Sequence, residues 1–183
     1  MTSQGPYLPE YNATYKYDSE SCPTNPVTVQ KITQNTLLGF LQNHPDFTVF
    51  YYLAQRANMS GLFNSDQVYI TLLAVSDTFI KKNYPENVFL NMDISTARKI
   101  LQNHILERNI SIDMLESSNG LFLKTRGGNR LLYQRDHKDE MTINHNIELS
   151  KQSIKTDNAI ILFVDNIIMP DDVMCNPQVH PTC

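Results

Sequence analysis

A chain of 183 residues, 41% hydrophobic and 19% charged, has the size and composition of one globular domain with extensions. A formal net charge of -4, with no cluster of lysine and arginine, argues against a nucleic-acid module, which needs a basic face to meet phosphates. No apolar run approaches the roughly 20 residues of a membrane-spanning helix, and the first residues, MTSQGPYLPEYNATYKYD, have neither the basic start nor the apolar core of a signal peptide. With Met1 in place, this reading favours a chain that stays in the cytosol over one whose leader has been removed.

Residues 1–26 read as an extended arm. Pro6, Pro9, Pro23 and Pro26 oppose regular structure, and Tyr7, Tyr11, Tyr15 and Tyr17 are spaced along it. Tyrosine buries ring area while keeping a hydroxyl wet, so the arm suits contact with its own domain or with a neighbour, against the alternative of a free tail. Cys22 lies in the arm, and Cys175 and Cys183 lie in the polar tail at 171–183. One bridge, from Cys22 to Cys175 or Cys183, would tie the two ends together; free thiols in a reducing compartment are the competing reading, and the odd count and spacing match no zinc site.

The domain is placed at 27–170. Residues 27–63 read as helical: Asn35 or Thr36 caps a segment carrying Leu37, Leu38 and Leu41, and Asp46 starts a second one bearing Phe47, Phe50, Tyr51, Leu53 and Ala54, with Gly61 just past its end. Residues 68–75, VYITLLAV, read as a buried strand, and Ser76-Asp77 signals a helix start. The spacing predicts a helix over 93–108, capped by Asp93 or Ser95, with Ala97, Ile100, Leu101, His104 and Ile105 on one face.

From 110 onward the period changes to two. Ile110, Ile112 and Met114 alternate with polar residues, and so do Leu121, Leu123 and Thr125. Arg126-Gly127-Gly128-Asn129 then turns the chain back into Leu131–Tyr133; Met141–Ile143 and Ile147–Leu149 form another pair around Asn144-His145-Asn146. Residues 159–170, AIILFVDNIIMP, are apolar on both strand faces as far as Val164, which places them in the middle of the structure; Asp165-Asn166 predicts a bulge or sharp bend, and Pro170 a stop.

This order resembles a fasciclin-like domain over about residues 33–170. The resemblance rests on three motifs: Leu73-Ala74-Val75-Ser76-Asp77-Thr78-Phe79, the helix end Asn103-His104-Ile105, and the closing Val164-Asp165-Asn166-Ile167-Ile168-Met169-Pro170. It implies an α+β fold, a bent β-sandwich or wedge of about seven strands with helices packed on it, serving as an adhesion or scaffold module without a cofactor. Ser76, Asp77, Phe79, Asn103, His104, Asp165 and Pro170 are its motif positions. Many adhesive members carry Tyr where this chain has Asn103, and Asp-Ile where it has Ser153-Ile154, features linked in those relatives with integrin binding.

The remaining residues give no stronger chemistry. His104, facing inward near the Ser76-Asp77 turn, would supply the residue types of a catalytic set, but no nucleophile elbow or oxyanion loop accompanies Ser76, so a polar clamp between helix and strand turn is the expectation. The run Arg135–Glu140, RDHKDE, reads as a solvated loop and not as a metal site. Sequons stand at Asn12, Asn58 and Asn109. The function expected is a non-enzymatic interaction module that binds other proteins through its arms and surface. Its setting is a larger shell, such as a minor capsid or virion protein of a large DNA virus, or else, as an exported protein, cell adhesion or the extracellular matrix.

Overall fold

The computed structural model describes residues 34–85 and 87–174. The tyrosines Tyr7, Tyr11, Tyr15 and Tyr17 and the cysteines Cys22, Cys175 and Cys183 lie outside the described residues.

Three short helices lead: α1 (Leu37–Asn43), α2 (Thr48–Arg56) and α3 (Ser60–Asn64). Thr36 caps α1, its hydroxyl accepting from Gly39 N–H at 3.3 Å. The stripe Phe50, Leu53, Ala54 of α2 is fully buried. Gly61 does not close α2. The helix ends at Arg56, Asn58 takes the left-handed backbone at φ 55°, and Gly61 lies inside α3. Asparagine tolerates that conformation because its short side chain bonds locally, so it can stand where glycine is commonest.

Strand β1 (Ile70–Val75) runs into α4 (Asp77–Asn83), and α5 (Ile94–Asn103) follows with Asp93 as its cap. The helix expected to reach 108 stops at Asn103; His104 turns the chain and Ile105–Leu106 is a two-residue strand, β2. The strand expected at 110–114 is instead a helix, α6 (Ile112–Glu116), capped by the Ser111 hydroxyl at Met114 N–H. Its buried pair is Ile112 and Leu115, spaced by three, while Met114 points to solvent, so the alternation read around Met114 was misleading. Four antiparallel strands then meander: β3 (Leu121–Lys124), β4 (Arg130–Arg135), β5 (Met141–Ile143) and β6 (Ile147–Lys155). Gly128, at φ 89°, makes the β3–β4 turn, and Asn144 and His145, at φ 50° and 70°, make the β5–β6 turn. The last strand, β7 (Ala159–Val164), is followed by a buried non-strand segment through Pro170 and one turn of helix, α7 (Asp171–Met174), with Val173 buried.

The seven strands form one mixed sheet in the order β2-β1-β7-β6-β5-β4-β3. The second and third strands in this order, β1 and β7, pair in parallel from Ile70↔Ala159 to Val75↔Val164. Leu72, Leu73, Ile161 and Leu162 there are wholly buried, each side chain worth about 1.5–3 kcal/mol of burial. The irregularity expected at Asp165-Asn166 lies across from it: those residues end the strand, and the register shift is in β6, between Leu149 (opposite Val164) and Ser153 (opposite Leu162). The two edges of the sheet nearly meet. A single bridge, Leu106↔Thr125, joins the end of β2 to the end of β3, with Arg126 N–H donating to the Ile105 carbonyl at 2.7 Å.

Candidate functional site

The motif residues occupy three places, and in each the polar atoms bond backbone groups or neighbouring side chains. The first is the Asn103-His104 pair at the end of α5. His104 is fully buried, with its ring edge-on to Phe50 at a centroid distance of 5.3 Å. Ile168 N–H can only donate, so the His104 Nε2 at 2.9 Å accepts; Nδ1, 2.9 Å from the Ile100 carbonyl, therefore carries the proton. Burial pushes the imidazole down to about 4, against a smaller upward pull from the Ile100 carbonyl. The neighbouring Asn103 amide donates to the Ile168 carbonyl at 2.9 Å and accepts from Asn129 Nδ2 at 2.9 Å, with the Thr125 hydroxyl at 3.4 Å. Two adjacent side chains thus hold both the N–H and the C=O of one residue in the segment after β7. His104 does not meet Ser76 or Asp77; the clamp runs from α5 to Ile168.

The second place is a crossed pair of caps. Asp46 was expected to start α2 and Asp77 α4. Instead, Asp77 Oδ2 accepts from Thr48 N–H at 2.9 Å and from the Thr48 hydroxyl, and Oδ1 from Val49 N–H at 3.0 Å, so it caps α2. Asp46 Oδ1 accepts from Thr78 N–H at 3.1 Å and the Thr78 hydroxyl at 3.0 Å, in α4, while its carbonyl takes Asp77 N–H at 2.8 Å. Ser76 supplies only a long cap bond to Phe79 N–H, at 3.4 Å, and the Phe79 ring is exposed. Asp77→Ala is expected to lower stability by about 2–3 kcal/mol, and Asp46→Ala, at a more exposed position, by about 1 kcal/mol. Urea denaturation of the two variants checks the order; equal losses would mean the crossing carries no weight.

The third place is the turn after β7, where Asp165 Oδ1 accepts from Glu148 N–H at 2.8 Å and Asn166 Oδ1 accepts from Ile167 N–H at 2.8 Å and the Tyr84 hydroxyl at 3.1 Å. Pro170 is buried, its carbonyl taking Val173 N–H at 2.9 Å to open α7.

Sequence reasoning missed Asn158. It is buried, donates to the Phe63 and Ser65 carbonyls at 2.9 and 2.8 Å, and accepts from Leu37 N–H at 2.8 Å, thereby tying α1 and α3 to the start of β7. A polar residue directly before a run of apolar strand residues was its only signal. The RDHKDE run is the β4–β5 loop: Arg135 pairs with Asp139, and Asp136 accepts from Lys138 and Glu140 N–H, bonds that hold its carboxyl below the usual range. Among the described residues no group of three or more His, Cys, Asp or Glu side chains stands together as metal ligands.

What the described surface does offer is a seam. Beyond the Leu106↔Thr125 bridge the strand edges diverge, leaving a groove of about 480 Å³ between residues 107–110, α6 and β3. Ile110 and Leu115 form part of its lining, and Met114, Leu121 and Phe122 line it while largely open to solvent, Phe122 at 62% and Met114 at 55%. Thr125 N–H bonds the Asn129 carbonyl, so the bonded pairs of the β3–β4 ladder fall at 125, 123 and 121. The alternation turns the N–H and C=O of Phe122 to the open side.

A nearly closed seven-stranded mixed sheet, braced by helices and tied together by buried side chains that bond backbone, defines the fold. The fasciclin domain model matches residues 45–170, and the chain belongs to the fasciclin domain family. Among solved structures it is similar to a FAS1 domain pair from the insect cell adhesion molecule Fasciclin I, with 19% identity and a TM-score of 0.62 over 75% of this chain and 51% of that one. The chain therefore spans about half the length of that domain pair. The search of curated proteins gave no match.

Proposed function

We propose that the chain is a non-enzymatic protein-interaction module that binds partners along the open seam between β2 and β3. The observation that carries this reading is the coincidence of exposed Met114, Leu121 and Phe122 with an unpaired strand edge, because extended segments add to such edges through backbone bonds and fill adjacent apolar pockets. Support also comes from the motif residues, whose polar atoms are engaged within the fold, and from a family of interaction domains. In the first setting the domain is a building block of a larger assembly, such as a virion shell, which the polar terminal extensions favour. In the second it is an exported adhesion module, which the solvent exposure of both described sequon asparagines, Asn58 and Asn109, favours.

Cross-linking through Lys124, at the seam, tests the reading in the native setting. Lys124 is expected to join a second polypeptide in the wild-type chain and to lose that link in Phe122→Glu, whose side chain is exposed and whose fold stays intact. Cross-links confined to the chain itself would refute it. Glycans on Asn58 or Asn109 in the same spectra would select the adhesion setting; bare asparagines with reduced cysteines would select the assembly.

A further inference from the structure

We propose that the seam takes an acidic extended peptide of a partner protein, aligned antiparallel to β3, with a carboxylate two residues ahead of an apolar side chain. This rests on the reading of the seam as a binding edge and names the chemistry of its occupant.

The hairpin that supplies the edge is basic. Residues 117–135 contain Lys124, Arg126, Arg130 and Arg135 and no aspartate or glutamate, in a chain whose net charge is -4. Arg135 is paired with Asp139. Lys124, Arg130 and, from the facing segment, Arg108 line the groove against one carboxylate, Glu107, which lies 3.4 Å from Lys124. Arg108 and Arg130 are exposed and have no carboxylate partner among the described residues.

The register makes those charges a feature of the edge. Lys124 and Arg130 are direct partners across β3 and β4, at a position of the ladder that exchanges no backbone bonds. Facing Cα atoms stand about 4.5 Å apart there, and the two side chains share a face. Like charges set opposite each other weaken a sheet, so this pair costs the hairpin stability that an arriving carboxylate restores. A guanidinium receives a carboxylate through two parallel bonds, which fixes position as well as charge.

Phe122 lies two residues before Lys124, on the same face and about 7 Å along the strand. The groove therefore has an apolar end, at Met114, Leu121 and Phe122, and a cationic end, at Lys124 and Arg130. In an antiparallel guest, one residue exchanges both backbone bonds with the outward N–H and C=O of Phe122, and the residue two earlier faces Lys124. An apolar side chain at the first position and a carboxylate at the second match the two ends. Antiparallel pairing is the more stable per residue, which sets the order with the acid first. β3 is four residues long, about 13 Å, so the guest motif is short. The β3 hairpin of a second copy does not fit, because it brings no carboxylate to the cations.

Nuclear magnetic resonance titration of the isotope-labelled full-length chain with acetyl-Asp-Glu-Thr-Phe-Thr-Val-amide tests the inference. Saturable shifts are expected at the Phe122 and Lys124 amides, with an affinity at least about ten-fold above that of the same peptide carrying Asn and Gln for the two acids. Arg108→Gln with Arg130→Gln is expected to abolish that preference while the neutral peptide binds as before, and salt at about 1 M is expected to narrow it in the wild-type chain. Unchanged β1 and β7 resonances in the variant separate lost recognition from lost fold. Equal affinity for the acidic and neutral peptides, with both lost in Phe122→Glu, overturns the inference and leaves the seam standing as a binding edge. No shift at Phe122 with either peptide overturns both. Tighter binding of acetyl-Val-Thr-Phe-Thr-Glu-Asp-amide overturns the antiparallel order. Tighter binding of a single-stranded oligonucleotide than of the acidic peptide overturns it in favour of a phosphate ligand, and a concentration-dependent Phe122 shift without peptide, with a dimer on size exclusion, in favour of a second copy.

Discussion

Asn158→Leu is expected to lower the unfolding free energy by about 3–5 kcal/mol, the largest effect of any single polar substitution considered. Leucine has the branched four-atom skeleton of asparagine but is bulkier and makes none of its bonds. It leaves the Leu37 N–H and the Phe63 and Ser65 carbonyls without the partner they share, in a setting where water has little access. Each abandoned buried group costs about 1–3 kcal/mol, and the three costs fall short of a simple sum because α1 and α3 relax toward solvent. Asn158→Asp separates donor from acceptor: it keeps the bond from Leu37 N–H, gives up both donated bonds and buries a charge facing two carbonyls, so it is expected to be at least as damaging. Thermal or urea unfolding measures both. A loss below about 1 kcal/mol in the leucine variant would show that the helices hold their places by apolar packing alone.

The second large effect is on acid stability. His104 titrates near 6.5 in the unfolded chain and at about 4 when folded. The folded pKa is depressed, so between those values the unfolded state binds the proton and the folded state does not. Stability from this residue is complete above pH 6.5 and lost as the pH falls toward 4, by about 3 kcal/mol in all. Protonation occupies the Nε2 lone pair that accepts from Ile168 N–H, so the charge cannot enter without opening the clamp. His104→Phe removes both ring bonds and the titration together. It is expected to be about 2–4 kcal/mol less stable than wild type at pH 7 and to draw level near pH 4. Urea midpoints at the two pH values make the comparison, and parallel pH curves for the two proteins would reject the assignment.

Strands β1 and β7 were legible because a run apolar on both faces has only one kind of home. Ile70–Val75 is buried throughout, Ala159–Val164 at all but the half-buried Ile160 and Phe163, and the two strands are adjacent for that reason. The hairpins were legible from glycine and asparagine at turns that need positive φ. Short elements were not. Two residues of β2 and five of α6 are too few for a period to declare itself, and Ile110, Ile112 and Met114 fit a strand in sequence while Ile112 and Leu115 fit a helix in space. The site divides in the same way. Asn103-His104 was visible as a motif, but its partner is the backbone of Ile168, which no side-chain pattern marks. Asp46 and Asp77 were each read as a cap for the helix beside it, since sequence shows neighbours in the chain and the exchange of caps happens between elements about 30 residues apart.

The parallel pairing of β1 with β7 has a consequence for synthesis. The first strand of the sheet has the last as its main neighbour, separated from it by some 90 positions of chain, and the other flank of β1 is covered only by the two residues of β2. A nascent chain emerging from the ribosome therefore carries an apolar strand with no long partner until nearly the whole domain has been made. Its sheet closes only after translation has passed Val164, so folding is a late and concerted event, slow for its size, and a polypeptide cut short anywhere before that residue is left with its stickiest strand uncovered.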